Sequence, residues 1–265
     1  MLAARRACAE PRIGHAGTLD PFATGLLVLL LGRATRLLPH IDAEPKVYDA
    51  TIRFGSETDT DDVDGARTRD AALPSREAIE RAIPSLTGVL MQVPPAYSAK
   101  RVDGRRAYDA ARAGVALHLA PVEVRVHSWE LRTWRHGSDL DVTVTCGGGT
   151  YIRALARDLG RASGSAAHLS ALRRTASGPF RVQAAATLES LSEGTAAPLA
   201  PLRALASLPA ESLTDDEVAK IARGIRVPAR AAGHRAALVN GDGELVAYAE
   251  RAGDEWQPRV VMRHG

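Results

Sequence analysis

Residues 12–32, RIGHAGTLDPFATGLLVLLLG, place one carboxylate, Asp20, on a Leu-Asp-Pro turn just ahead of an aliphatic run. A carboxylate beside a buried segment is costly unless it is paired or put to use. The plainer alternative is a turn residue that bonds its own backbone and stays wet. Two other side chains invite the same question. Arg153 falls in the first turn of a helix expected after GGGT, and Tyr48 falls on the apolar face of an expected strand. One carboxylate, one guanidinium and one phenol, with long basic loops nearby, make a constellation that contains neither a metal-ligand set nor a cofactor motif. Taken singly, Asp20 reads as a turn, Tyr48 as core and Arg153 as helix surface.

Other candidate motifs fail on spacing. The acidic run ETDTDDVD at 57–64 lacks two key ligands of a calcium loop when Gly65 is set at the sixth position. GGGT at 147–150 has no following Lys and no GxGxxG spacing, so it is neither a P-loop nor a dinucleotide fingerprint. No HExxH and no GxSxG is present. Cys8 and Cys146 form no CxxC and have no His at zinc spacing, so no metal site and no disulfide framework is predicted.

The elements that must position the three residues follow from periodicity. GLLVLLLG, closed by glycines, reads as a buried strand, and RATRLLPHI as a short helix broken near Pro39. KVYDATIRFG alternates, so Tyr48, Ala50, Ile52 and Phe54 share one half-buried strand face. SREAIERAI is a helix with Ser75 as N-cap and Pro84 as terminator. Residues 91–105 read as a long exposed loop with a basic cluster. VEVRVHSWELRTW and DLDVTVTCGGG are paired strands around HGSD. Thr150 then caps YIRALARDLG, a helix closed by Gly160. Residues 191–210 read as a linker. Beyond it lie a capping box at TDDE, a helix ended by Gly224, a hairpin around Asn240-Gly241-Asp242-Gly243 and a last strand at RVVMR.

The chain's 265 residues suffice for one large domain and a small one. An apolar share of 45% and a charged share of 25% are globular values. No apolar run has the length of a bilayer span or a signal peptide, so a cytoplasmic protein without membrane attachment is expected. Formal charge is +3, and its distribution is uneven. Acids gather at 57–64 and bases at 100–112 and 153–181, which predicts a polarised surface able to follow a phosphate backbone.

GHAGTLDPFATGLL resembles the catalytic motif of TruB-type tRNA pseudouridine synthases. KVYDATIRFGSETDTDDVDG, QVPPAYSAKRVDGRRAY, GGGTYIRALARDLG and AHLSALRRTASGPF resemble further blocks of that family in the same order, covering most of residues 11–181. The resemblance implies an α+β fold: a mixed, mostly antiparallel sheet with flanking helices in a catalytic domain at 1–204, and a small PUA-like, mainly β RNA-binding domain at 205–265. It implies isomerisation of uridine 55 in the TΨC loop of tRNA. That reaction demands no metal and no redox cofactor. Asp20 would be the nucleophile, Arg153 its partner, Tyr48 the ring that stacks on the target uracil, and Leu172 a wall of the uracil pocket. His15 would occupy the gap left by the extruded base, and Lys100, Arg101, Arg105, Arg106, Arg173 and Arg174 would meet RNA.

The expected partner is the tRNA T-arm, with no protein partner and a monomeric state. Asp20 and Arg153 are expected to meet in a cleft at N–O distances near 2.7–2.9 Å, typical of charged contacts, with Tyr48 on its wall. Family members normally begin with a Lys-Pro-x-Gly motif, whereas this chain has no Lys before Lys46 and MLAARRACAEPR resembles only the tail of the helix that follows that motif. A tRNA-binding or folding-assistance protein with weak or no catalysis is therefore the second expectation.

Overall fold

The computed structural model describes residues 1–97, 101–102, 105–106, 119–135 and 137–262, with the backbone alone at 101–102 and 105–106. In chain order, helix α1 (Leu2–Ala7) precedes three short strands, β1 (Ile13–His15), β2 (Thr24–Gly25) and β3 (Leu29–Leu31). Strand β4 (Lys46–Phe54) is followed by β5 (Ser56–Thr58), β6 (Arg67–Asp70), helix α2 (Arg76–Ala82) and β7 (Gly88–Gln92). Next come β8 (Arg101–Val102), β9 (Arg105–Arg106), β10 (Val122–Arg135) and β11 (Asp139–Cys146). Helix α3 (Ile152–Ala162) leads into β12 (Ala167–Ser177) and β13 (Phe180–Arg181), then helix α4 (Leu188–Ser192). The last elements are β14 (Ala210–Ser212), helix α5 (Asp215–Ala222), β15 (Val227–Pro228), β16 (Arg235–Val239), β17 (Leu245–Ala252) and β18 (Glu255–Val261).

Two compact units result. One comprises Leu19–Leu26 and Glu44–Gln183; the other comprises Met1–Thr18, Leu27–Ala43 and Ala184–Gly265. The first is built on a sheet of strand order β13-β12-β4-β11-β10-β7, with β2 added in parallel to β12. The other pairings in this sheet are antiparallel. The alternation of β4 is realised: Tyr48, Ala50, Ile52 and Phe54 are all buried, and α3 lays Ile152, Leu155 and Leu159 on the same core. In the second unit a five-stranded sheet, β14-β16-β17-β18-β15, packs with α5 around Trp256 and Ile221. The Thr214–Glu217 capping box opens α5 as its sequence requires. No helix among the described residues is long and apolar enough to cross a membrane.

Four local expectations are corrected. GLLVLLLG is not one strand: Gly25 turns at φ +96°, β2 joins the large sheet, and β3 pairs with β1 elsewhere. Helix α3 starts one residue later than expected. Tyr151 is the N-cap and makes no side-chain cap, while Thr150 donates to the Gly147 carbonyl at 3.0 Å. Gly160 does not end α3. A Cβ there would lie 2.5 Å from the Ala167 nitrogen, so glycine lets the helix press onto β12, and the chain reverses at Gly164 with φ +76°. Residues 191–210 are more than a linker, since Pro201–Leu205 form a 3-10 turn in which Leu205 is fully buried.

Candidate active site

The segment carrying Asp20 is anchored at both sides of its carboxylate. The Ala23 amide donates to the Asp20 carbonyl at 3.0 Å, closing a turn in which Pro21 presets the backbone. Phe22 and Ala23 pack on the core of the large sheet. At the far end, the Leu26 amide donates to the Arg174 carbonyl at 2.8 Å. The Asp20 side chain, 29% exposed, does not turn back on its own backbone; it meets Arg153.

Arg153 reaches this point because α3 presents two faces. Ile152, Leu155 and Leu159 face the sheet, while Arg153, Arg157 and Arg161 recur every four residues along another stripe. The guanidinium of Arg153 donates to Asp20 through Nε (3.0 Å to Oδ2) and Nη2 (2.7 Å to Oδ1), a bidentate pair. Nη1 donates to the Thr60 carbonyl (2.9 Å) and Asp62 Oδ2 (3.2 Å), and Nη2 also donates to the Tyr97 carbonyl (2.9 Å). All five N–H donors of a buried guanidinium therefore have acceptors. Asp20 and Arg153 meet as expected, with one of the two contacts slightly longer than anticipated.

The acidic loop was the part of the site that sequence reasoning missed. Asp62 is held by the Thr60 hydroxyl (2.6 Å) and the Asp64 amide (3.1 Å), and braces Arg153 through Nη1, the guanidinium nitrogen that Asp20 does not engage. Asp61 takes a left-handed backbone at φ +59° and accepts from Arg157 Nη1 at 2.8 Å. Its carbonyl accepts the Leu169 amide at 3.0 Å, tying the loop to β12. Arg161 and Arg69 close on Glu57. Glu57, Asp61 and Asp62 thus pair with the three arginines of α3, so these charges do not stand apart from one another. The signal was present in the sequence as an acid-rich loop and an i, i+4, i+8 arginine stripe, two features that were read apart. Gln92 completes the brace, accepting from the Tyr151 amide at 2.9 Å and donating to the Tyr151 carbonyl at 3.1 Å.

Tyr48 sits opposite Arg174 in the β4–β12 register, and Ala50 sits opposite Leu172. Directly opposed residues share a sheet face, so Tyr48, Leu172 and Arg174 line one side. Tyr48 and Leu172 are buried, at 7% and 6% exposure. Burial pushes the Tyr48 hydroxyl up, a hydrogen bond from Arg174 pulls it down, and the charge of Asp20 reaches it. Burial likewise pushes Asp61 up to about 6, against the pull of Arg157, and Cys146 up to about 11. Lys46, two residues before Tyr48, is pushed down by burial and by the charge of Arg174.

The remaining expected RNA contacts divide. Arg173 is exposed on the opposite strand face from Leu172. Arg174 is corrected: it is fully buried, its Nε donating to the Leu26 carbonyl at 2.8 Å, so it presents no charge to a phosphate. Lys100 lies outside the described residues, as do the side chains of Arg101, Arg105 and Arg106. His15 belongs to the other unit, on β1, where its Nδ1 is buried and has no hydrogen-bond partner among the described residues.

Comparison with known proteins places this geometry in context. Residues 5–152 match the TruB family pseudouridylate synthase N-terminal domain, and residues 153–211 match the tRNA pseudouridylate synthase B C-terminal domain. A tRNA pseudouridine synthase B of Thermobifida fusca is 44% identical over 97% of this chain and 91% of its own length. A protein of the same name from Arthrobacter sp. is also 44% identical, over 97% and 90%. Among solved structures, a crystal structure of a Cbf5–Nop10–Gar1 complex holds a chain with the same fold at a TM-score of 0.72. That match has 24% identity and covers 99% of this chain and 80% of the other. With two family models matched in chain order and relatives aligned almost end to end, this chain belongs to the TruB family of pseudouridylate synthases.

Proposed function

We propose that the chain isomerises uridine to pseudouridine at position 55 in the TΨC loop of tRNA, with Asp20 as the nucleophile. The observation that carries this reading is the partly exposed Asp20 carboxylate, held in a bidentate pair by the fully bonded guanidinium of Arg153. Family membership and relatives named tRNA pseudouridine synthase B support the substrate class.

The conversion breaks the C1′–N1 bond and forms a C1′–C5 bond within the same nucleoside. N1 gains a proton and C5 loses one, so nothing is oxidised and no group leaves. A carboxylate serves as the nucleophile for such a transfer, and the bidentate guanidinium of Arg153 fixes its direction. The target base must leave its stack, at a cost of roughly a few kcal/mol, and stacking on Tyr48 offsets about 1–3 kcal/mol of it. Leu172 forms the apolar wall beside the ring. Tyr48 also takes the C5 proton late in the reaction, its own hydroxyl proton passing on to water.

His15 fills the space vacated by the base. Lys100, Arg101, Arg105, Arg106 and Arg173 meet backbone phosphates, and residues 205–265 act as a PUA-like RNA-binding domain appended to a catalytic domain at 1–204. The enzyme works as a monomer in the cytoplasm, reading the folded shape of the T-arm more than its linear sequence.

The test is tritium release from a T-arm carrying 5-tritiated uridine at position 55. Release at that position, and none when the label sits at a neighbouring uridine, is the expected result. Binding of the T-arm without any release would replace this reading by that of an RNA-binding or folding-assistance protein.

A further inference from the structure

A buried arginine is expensive, because its charge must be taken out of water. Arg174 is fully buried, yet its position two residues after Leu172 in β12 would suit an aliphatic side chain. What it touches explains its presence. Its backbone carbonyl accepts the Leu26 amide, and its Nε donates to the Leu26 carbonyl, each at 2.8 Å. Its side chain shares a sheet face with Tyr48, directly across the β4–β12 register, and there it draws the Tyr48 hydroxyl down against the upward push of burial. On the other side it pairs with Gly25 of β2. There the approach is so close that a Cβ on Gly25 would lie 2.3 Å from the Arg174 carbonyl oxygen, and φ at Gly25 is +96°. One residue thus joins the end of the segment that carries Asp20 to the ring opposite it. Only a planar fork with donors in several directions does both at once.

We propose that Arg174 is a positioning residue for the isomerisation, its buried guanidinium locking the Tyr48 ring and the Asp20-bearing segment into one register. This rests on the reading given under Proposed function, in which Tyr48 and Asp20 meet the same nucleobase. Arg174 itself touches no substrate and acts through Tyr48 and Leu26.

The decisive variant is Arg174→Lys, which keeps the charge but offers one compact donor group unable to hold both acceptors. Arg174→Gln is the second variant, used if the lysine form does not melt cooperatively. Three quantities are measured: single-turnover tritium release from the 5-tritiated T-arm, T-arm affinity, and the pH at which Tyr48 ionises. The last is read as the ultraviolet difference between each form and its Tyr48→Phe counterpart. The expected result is a fall in rate of about ten- to a hundredfold, the scale of a roughly 1 Å misplacement. Affinity stays within about threefold, and Tyr48 ionises at a higher pH because the arginine donor is gone. A merely structural role would lower the melting temperature and leave the rate and the Tyr48 titration where they were, and that result overturns the proposal. If the unaltered chain releases no tritium, the functional reading fails; the Tyr48 titration then still decides whether Arg174 governs Tyr48.

Discussion

Arg153→Lys is the substitution whose cost follows most directly from the geometry. The guanidinium serves Asp20 twice, Asp62 once, and the carbonyls of Thr60 and Tyr97. An ammonium carries three donors instead of five, so at least two of these contacts are lost. Asp20 is partly exposed and recovers water, so its share of the loss is small. The Asp62 side chain, 8% exposed, has no such recourse. Two such acceptors left unmet, buried Asp62 and a part-buried carbonyl, cost about 1–3 kcal/mol each, so the site loses roughly 2–6 kcal/mol.

That loss falls locally on α3 and on the loop 57–66, which hydrogen exchange reads segment by segment. Amides of α3 that open with the site should exchange roughly 30 to some twenty thousand times faster, the same energies expressed as a ratio. Tritium release should fall too, because Asp20 is no longer held from two sides. A change in α3 protection of less than about threefold would mean that the five-donor arrangement contributes almost nothing, and the reasoning built on it would be wrong.

Two further predictions concern neighbouring elements. Glu57 is held below its ordinary 4.5 chiefly by the hydrogen bond from Arg161, with Arg69 adding to it. Its contribution to stability is therefore complete above that ordinary value and is lost as pH falls through the lower folded-state value. Melting temperature followed from neutral pH into this acid range should drop less steeply in Glu57→Gln than in the parent, and parallel curves would contradict the assignment. Gly25→Ala forces a Cβ against the Arg174 carbonyl at a left-handed backbone, a strain of about 1–3 kcal/mol before the clash is counted. It should cost more tritium release than a surface glycine such as Gly241, tested the same way, where a Cβ meets nothing within 4 Å.

Much of the site was legible because its residue types have few alternatives. Asp20 stood at a turn before an aliphatic run, Arg153 opened a helix, and Tyr48 followed a period of two. The fold brings Asp20 and Arg153 together and sets Tyr48 within reach of Asp20's charge. Arg174 was misread as a phosphate contact because a basic pair draws attention to charge. Yet strand alternation already put it on the face of Leu172, with Arg173 on the other. Gly160 reads as a helix stop because glycine commonly is one; the close approach of β12 that requires it is a tertiary fact with no local trace. The run at 25–32 does not form one strand because Gly25 at its head, in a left-handed backbone, pairs with β12 while Leu29–Leu31 pair with β1. The ion pairs between the acidic loop and α3 join residues some ninety to a hundred positions apart, which composition alone could not match.

The most direct measurement is Asp20→Asn assayed side by side for catalysis and binding. The amide keeps the size of the side chain and can still accept from Arg153, but it cannot attack. Loss of all detectable tritium release from a labelled T-arm, with affinity for that arm little changed, is what a nucleophilic aspartate requires. Release at the parental rate from the asparagine form would contradict the role assigned to this carboxylate.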